Sequence, residues 1–373
     1  MEIERLLRMV VEEHASDLHL KVGSPPVLRI DGILVPKEDL PQLTAKDVEI
    51  LFEQVTTIEQ RHMFVRDLEL DFAYGVHGLG RFRVNVLQQR GTLSLAFRAI
   101  PFKIPSVDEF ELPTILKTLI RKPRGLILVT GHTGSGKSTT MAAMINHLNE
   151  NERRHVIMIE DPIEFLHADN KCLIVQRDLG DDTRSFDTAL VKALRHDPDV
   201  VVIGEMRDLD TIATAITAAE TGHLVLGTLH TSDAAQTIDR IIDVFPPGQQ
   251  RQIRMQIAQV IEAVLSQTLL PRIVGGRIAA IEVMIGTPAV RNLIRSEKVH
   301  ELATVIQLGN RDGMQTLDQS LADLIKGRIV TQEEAMLRSS DPEQLRELIA
   351  GSYMTTGTLR RSYMAGASQH SRT

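Results

Sequence analysis

Apolar and polar positions change their spacing near residue 114, which divides the chain into two kinds of pattern. Before that point, short stretches alternate between apolar and polar residues, and such alternation predicts antiparallel strands. These stretches are "LHLKV", "VLRI", "LELDFAYGV", "GRFRVNVLQQR" and "LSLAFRAI". Helical spacing predicts helices near 2–13 and 44–66, and Asp31-Gly32 predicts a hairpin turn. We therefore expect residues 1–100 to form a small α+β domain.

A different arrangement follows the segment 101–113, whose three prolines predict a linker. Short continuous apolar runs such as "GLILVT", "HVIMIE" and "DVVVIG" now alternate with helical patterns. This order predicts βαβ units and a parallel sheet between helical layers over 114–286. Residues 287–350 are expected to be helical. The polar, basic residues 351–373 are expected to be disordered.

The composition limits the kinds of protein that the chain can be. Apolar residues make up 43% of it, enough for sizeable cores, although Trp is absent and aromatic residues are only 3%. A net charge of -7 argues against a nucleic-acid binder, which needs clustered Lys and Arg. The one cysteine rules out an internal disulfide and a cysteine-cluster zinc site. Without a signal-peptide or membrane-spanning pattern, we expect a cytoplasmic protein, soluble or peripheral.

The stretch "GHTGSGKS" fits the phosphate-loop pattern G-x-x-x-x-G-K-[ST], with an apolar strand before it and a helix after it. Its glycines let several backbone N–H groups point at one anion, and the helix adds its positive dipole end. Lys137 is expected to reach the β- and γ-phosphates and Ser138 to ligate Mg²⁺. ATP is favoured over GTP, because "NKCL" lacks the aspartate of a guanine-binding segment. The residues predicted to bind the nucleotide are Gly131, His132, Thr133, Gly134, Ser135, Gly136, Lys137, Ser138 and Thr139.

Hydrolysis needs carboxylates that organise a metal ion and position water, and two predicted strands end in acids. One is followed by Glu160, Asp161 and Glu164, and the next by Gly204 and Glu205. The carboxyl ends of parallel strands form the ligand crevice of an open sheet, so both groups should lie beside the phosphate loop. We predict Asp161 and Glu205 as metal-binding residues. Acids at strand ends also cap helices, and this alternative stays open.

Histidines and arginines complete the set of candidates. His230 ends a predicted strand on the same side as the phosphate loop, where it could sense the γ-phosphate or make a structural hydrogen bond. His223 lies at the opposite end of that strand. Arg81 and Arg83 share one face of a predicted strand. They either form a solvated face or offer positive charge to a nucleotide, including that of a neighbouring subunit.

Several separate segments resemble PilT-type type IV pilus retraction ATPases of the secretion ATPase superfamily. The N-terminal "SDLHL…PPVLRIDG" resembles the family's PAS-like domain, and "TGHTGSGKSTT" its Walker A motif. "IEDPIEF" resembles its Asp box, "DPDVVVIGEMRD" its Walker B segment and "TGHLVLGTLHT" its His box. "AVRNLIRSEK" is similar to the retraction motif, departing from it at Val290 and Ser296. The resemblance covers about 1–350.

The resemblance implies a RecA-like core that works as a homohexameric ATP-hydrolysing ring. It places Glu205 in the Walker B segment, where a glycine at 204 is normal within the superfamily. It also makes Glu164 the water-activating base. It matches Arg291, Asn292 and Arg295 to the retraction motif. The expected partner is the inner-membrane platform protein of the pilus machine, so the ring would sit at the cytoplasmic face of that membrane. Whether a second retraction ATPase shares the ring is left open.

Three other readings stay open beside the retraction motor. The chain could be the accessory retraction paralogue or another secretion-type motor. It could be a RecA-like nucleic-acid motor, against which its acidic charge and few aromatic residues count. It could also be a scaffold that binds ATP without turnover. A four-cysteine zinc insertion, usual in the assembly motors of the superfamily, is impossible with one cysteine.

Overall fold

A computed structural model describes residues 2–100 and 104–350. These residues form two compact units. The first contains the chain up to Ile104 together with two later segments, Pro162–His167 and Gly180–Asp182. The second contains the rest of the chain from Pro105 onward. The predicted disorder of 351–373 and part of the predicted linker, 101–103, lie outside the described residues.

The first unit is built on a six-stranded antiparallel sheet with the order β3-β2-β1-β6-β5-β4. Its strands are β1 Asp17–Lys21, β2 Val27–Ile30, β3 Ile33–Pro36, β4 Glu69–Val76, β5 Gly80–Gln89 and β6 Thr92–Ala99. Its helices are α1 Ile3–Glu12, α2 Ala45–Val55 and α3 Ile58–Asp67. Alternate residues of β5 are buried, among them Phe82 and Val84, so the predicted antiparallel pattern is confirmed.

The predicted single helix near 44–66 is wrong, because the chain forms α2 and α3 instead. Val55 ends α2, and the next two residues are extended. The Thr57 side chain accepts a hydrogen bond from the Gln60 N–H while the Gln60 side chain accepts one from the Thr57 N–H. This reciprocal capping satisfies the free N–H groups at the start of a new helix. Two threonines inside an otherwise helical pattern were the signal for the break.

The second unit is built on a seven-stranded sheet with the order β13-β12-β7-β11-β10-β8-β9. Every neighbouring pair is parallel except β12 and β13, which form an antiparallel hairpin. The strands are β7 Gly125–Thr130, β8 His155–Glu160, β9 Leu173–Asp178, β10 Val200–Ile203, β11 Leu224–Leu229, β12 Ile261–Pro271 and β13 Arg277–Ile285. The predicted parallel sheet is confirmed, with an antiparallel hairpin at one edge.

Helices cover both faces of this sheet, so its central strands are buried on both sides. Leu126 and Leu128 of β7 pack into one apolar cluster, whereas Ile127 and Val129 pack into another. The helices are α4 Ile115–Leu119, α5 Lys137–Asn151, α6 Phe186–Ala193, α7 Leu209–Glu220, α8 Ala234–Asp243, α9 Pro247–Val260, α10 Pro288–Arg295, α11 Leu302–Leu308, α12 Leu317–Lys326 and α13 Gln332–Met336. Burial on both faces explains the uninterrupted apolar strands of the sequence.

The C-terminal part of the described chain is mainly helical, as predicted for 287–350. Besides α10 to α13 it contains two short 3₁₀ helices, Val299–Glu301 and Asn310–Asp312, and residues 342–350 are helical as well. Its helices rest on the β12–β13 hairpin through an apolar cluster that includes Leu270, Ala280 and Leu321. Among the residues that the structure describes, no helix has the length and apolar character needed to cross a membrane.

Candidate nucleotide-binding and hydrolysis site

The predicted phosphate loop connects β7, which is entirely buried, to the start of α5. All three of its glycines have backbone angles that other residues rarely adopt, with φ of 139° at Gly131, 77° at Gly134 and 92° at Gly136. A Cβ atom at Gly131 would lie 2.3 Å from a main-chain oxygen of β12. The loop therefore follows the sheet too closely for a side chain at Gly131, and Gly136 precedes the first free N–H groups of α5.

Lys137, the first residue of α5, folds back across the loop. Its Nζ donates hydrogen bonds to the Gly131 carbonyl at 2.8 Å and the His132 carbonyl at 3.1 Å. The Ser135 hydroxyl is buried, with no hydrogen-bond partner among the described residues. A lysine ammonium, a buried hydroxyl and the N–H groups at the start of a 15-residue helix are donors that suit an anion. The residues present therefore fit a nucleotide phosphate chain.

Gly204 follows β10 at the position where a plain P-loop enzyme has an aspartate. A Cβ atom there would lie 3.1 Å from both the Glu160 Cα and the Ile159 carbonyl oxygen of β8. The Thr228 hydroxyl donates to the Gly204 carbonyl, which holds this turn against β11. Glycine suits this position because a Cβ atom would crowd the backbone of the neighbouring strand. The carboxylate that follows β10 must then come from the next residue, Glu205.

Glu205 lies in a cluster of three charged or chargeable side chains. Its Oε1 accepts a hydrogen bond from Nε2 of His230 at 2.9 Å and pairs with the Arg207 guanidinium. Burial raises the pKa of Glu205, but Arg207 and His230 outweigh it, so the pKa lies below its usual value. The structure thus brings together Glu205 and His230, two predicted residues that follow the adjacent strands β10 and β11. The carboxylate stays ionised at neutral pH.

Sequence reasoning missed Arg207, which is two residues after Glu205 and largely exposed. Its hydrogen bond to Glu205 raises the pKa of Arg207, and the charge of Asp161 contributes as well. The available signal was its position in "GEMRD", since any side chain just after the end of a parallel strand reaches the ligand crevice. Asp161 follows β8, next to β10, so two predicted acids come from neighbouring strand ends.

The predicted metal-binding residues are Ser138, Asp161 and Glu205. Ser138 is half-buried as the second residue of α5, and Asp161 is exposed. Within the described ranges, no group of three or more His, Cys, Asp and Glu side chains could hold a metal ion. One hydroxyl and scattered carboxylates fit Mg²⁺, which uses few protein ligands and takes the rest from phosphates and water.

Three predicted catalytic residues, Glu164, Arg81 and Arg83, belong to the first unit. Arg83 is exposed on β5 and lies 3.8 Å from the Asp71 carboxylate, measured from its Nε. Arg81 is half-buried, and Glu164 is exposed in the segment Pro162–His167. The predicted catalytic residues are therefore divided between the two units, with Lys137, Glu205 and His230 in the second.

Two further residues of the predicted motifs have structural contacts. His223 precedes β11, and its Nδ1 lies 3.0 Å from the Ala218 carbonyl at the end of α7. Arg291 of α10 donates to the Gly286 carbonyl at 2.7 Å and to Glu262 Oε1 at 2.7 Å. Its guanidinium also reaches the last carbonyls of α9, including that of Ala258 at 3.2 Å. Arg291 is therefore a clamp within the fold, which joins α10 to the end of α9 and to Glu262 of β12.

A phosphate loop between a buried strand and a helix of a mainly parallel sheet, with an acid after a neighbouring strand, defines a RecA-like P-loop nucleotide hydrolase. The family model described as "Type II/IV secretion system protein" matches residues 81–337. The chain belongs to this family, and its enzyme class is that of the ATPases.

Individual relatives agree with this family. The type IV pilus retraction ATPase PilT of Pseudomonas aeruginosa is 48% identical over 92% of this chain and 99% of that protein. The type IV pilus ATPase PilU of the same organism is 41% identical over 94% of this chain and 91% of that protein. A crystal structure of the pilus retraction motor PilT with bound ADP superposes with a TM-score of 0.87 at 45% identity, covering 93% and 99% of the two chains. The chain is thus similar to PilT-type ATPases over nearly its whole length.

Proposed function

We propose that this protein hydrolyses ATP to power retraction of a type IV pilus, as a homohexameric ring at the cytoplasmic face of the inner membrane. The observation that carries the proposal is the pairing of a phosphate loop with the Glu205–His230 cluster that follows adjacent strands of one sheet. The near full-length similarity to PilT of Pseudomonas aeruginosa supports the mechanical task.

Each residue of the second unit has a separate role in the proposed reaction. Lys137 and the loop amides bind the β- and γ-phosphates and offset their negative charge. Glu205 positions the attacking water, and His230 holds the Glu205 carboxylate in place. Ser138, Glu205 and Asp161 would hold Mg²⁺, which would supply further positive charge along the phosphate chain.

Three residues of the first unit also have roles in the proposed reaction. Arg81 and Arg83 stabilise the charge that develops on the transferred phosphoryl group, within or across subunits. Glu164 is the base that activates the attacking water, as the family resemblance implies. We propose the domain boundaries 1–100, 114–286 and 287–350, with the linker between the first two.

Partners follow from the proposed task. A retraction motor acts on the platform protein of the pilus machine in the inner membrane. A second ATPase of the retraction type is a candidate partner as well, because PilU of Pseudomonas aeruginosa is 41% identical to this chain. No nucleic acid is expected as a substrate.

The decisive experiment uses deletion and replacement of the gene. Cells without the protein should carry excess surface pili and lose twitching, and the wild-type gene should restore both properties. A Lys137→Ala gene should not restore them, because the phosphate loop loses its cation. Normal pilus number and normal twitching in the deletion strain would contradict the proposal.

The accessory role of a PilU-like paralogue is the second candidate. In that case the deletion strain would still retract pili under low load, and the purified protein would hydrolyse ATP without supporting retraction alone. Measuring retraction of single pili in strains that contain this ATPase as the one retraction motor separates the two roles.

A further inference from the structure

Gln267 of β12 is a buried polar residue that none of the sequence motifs includes. Its side chain is only 4% exposed, in a strand that lies directly beside β7. Both ends of its amide are used. Nε2 donates to the Ser135 carbonyl at 2.7 Å, and Oε1 accepts from the Thr140 hydroxyl at 2.9 Å. From its place in β12, Gln267 thus joins the phosphate loop to the first turn of α5.

The Ser135 carbonyl fixes the orientation of this amide. A carbonyl oxygen only accepts hydrogen bonds, so it must meet the NH₂ group, which leaves the amide oxygen to accept from the Thr140 hydroxyl. Thr140 is itself 2% exposed, so water does not compete for the contact. The three groups therefore form one chain of hydrogen bonds, from Thr140 through Gln267 to Ser135.

The loop also lies against Gln267 at both of its ends. A Cβ atom at Gly131 would be 2.3 Å from the Gln267 carbonyl oxygen, and one at Gly136 would be 3.1 Å from its Nε2. Next to it, the Thr130 hydroxyl donates to the Ser266 hydroxyl at 2.8 Å, which fixes the end of β7 to β12. The loop is thereby supported at both of its ends by two consecutive residues of β12.

The bond to Ser135 sets the direction of a peptide unit. In a planar trans peptide the carbonyl and the next N–H point in opposite directions. Because the Ser135 carbonyl points at Gln267, the Gly136 N–H points away from β12, toward the open side of the loop. That N–H belongs to the group of loop amides that bind phosphate in a P-loop.

We propose that Gln267 is a positioning residue for nucleotide binding, which holds the Ser135–Gly136 peptide in the orientation that presents its N–H to the phosphate chain. This inference rests on the proposed phosphate site and adds to it a residue outside the loop. Gln267 touches no reacting atom. Its removal should weaken the binding of ATP and ADP alike, because both carry a β-phosphate.

The first test is the affinity of purified full-length variants for ADP, measured by calorimetry at pH 8. Gln267→Met keeps the size of the side chain and removes both hydrogen bonds, so we expect the Kd to rise about tenfold. Gln250→Met is the matched control. Gln250 of α9 donates its amide to the Phe245 carbonyl at 3.0 Å in the same unit. Its Kd should equal that of the wild type.

The second test exploits Gln267→Glu, which has the same shape. The carboxylate cannot donate to Ser135 and adds a negative charge below the phosphates, so ADP binding at pH 8 should be weaker than in Gln267→Met. A protonated carboxyl can again donate to Ser135 and accept from Thr140, and burial favours that form. The affinity of Gln267→Glu relative to the wild type should therefore recover as the pH falls to 6. A general loss of packing would not show this recovery.

The outcomes separate this inference from the proposed site. Lys137→Ala should abolish ADP binding. If this variant still binds ADP, the proposed phosphate site itself is refuted. If Lys137→Ala loses ADP while Gln267→Met changes the Kd by less than threefold, the positioning role is refuted. If the ratio of the Gln267→Glu Kd to the wild-type Kd does not change with pH, the positioning role is refuted too. This measurement decides the question if Gln267→Met fails to fold.

Discussion

The substitution Arg291→Met tests whether an arginine of the retraction motif stabilises the fold. The Arg291 side chain is 20% exposed and that of its partner Glu262 is 19% exposed. Methionine keeps the apolar stem but loses the bonds to Glu262, to Gly286 and to the end of α9. Of the residues that the structure describes, Lys122 then remains as the cation beside Glu262, 3.3 Å away. Each lost hydrogen bond to a charged group is worth about 1 kcal/mol or more, so the free energy of unfolding should fall by about 3 kcal/mol.

Thermal unfolding of the purified protein measures this loss. For a unit of this size, about 3 kcal/mol lowers the melting temperature by about 6–12 °C. Arg295→Met is the matched control, because Arg295 is exposed at the end of the same helix. It should leave the melting temperature and basal ATPase rate unchanged while pilus retraction stops. Equal melting temperatures for Arg291→Met and the wild type would refute the clamp.

Three further predictions concern acids and one glycine. Glu205→Gln should retain ATP in a filter assay while phosphate release falls about 10²- to 10⁴-fold, and unchanged release would remove Glu205 from catalysis. Gly204→Asp should lower the free energy of unfolding in urea by about 1–3 kcal/mol, because its Cβ meets the β8 backbone at 3.1 Å. Burial raises the pKa of Glu282 to about 7 from 4.5. The wild type should therefore lose stability as the pH rises between these values. Glu282→Gln should escape that loss, a relative gain of about 3 kcal/mol; parallel stability curves would contradict this.

The fold class could be predicted because burial leaves a strong mark on sequence. Strands covered on both faces read as continuous apolar runs, and β7, β8, β10 and β11 were all predicted. The strand β12 was missed because it begins at Ile261, directly after α9 ends at Val260, with no Gly or Pro between them. The strand β9 was missed because its residues are only half-buried at the sheet edge.

The candidate site was predictable where spacing along the chain decides the geometry. The phosphate loop is one continuous segment, and Glu205 and His230 follow adjacent parallel strands. Arg207 was missed although its position two residues after Glu205 was a local signal. Gln267 was missed because its role depends on which strand lies next to which. Gln267 meets Ser135 only because β12 pairs with β7, across 132 residues of sequence. Local patterns contain no information on that pairing.

The chain passes between the two compact units more than once, which limits how the protein can be dissected. Pro162–His167 and Gly180–Asp182 pack in the first unit although they arise between strands of the second. Asp181 accepts a hydrogen bond from the Ala73 N–H of β4 at 3.2 Å. An expressed fragment that starts at Pro105 would contain both segments, with Glu164 in the first of them, but would lack the residues of the first unit that they pack against. Assays of ATP turnover need the intact polypeptide.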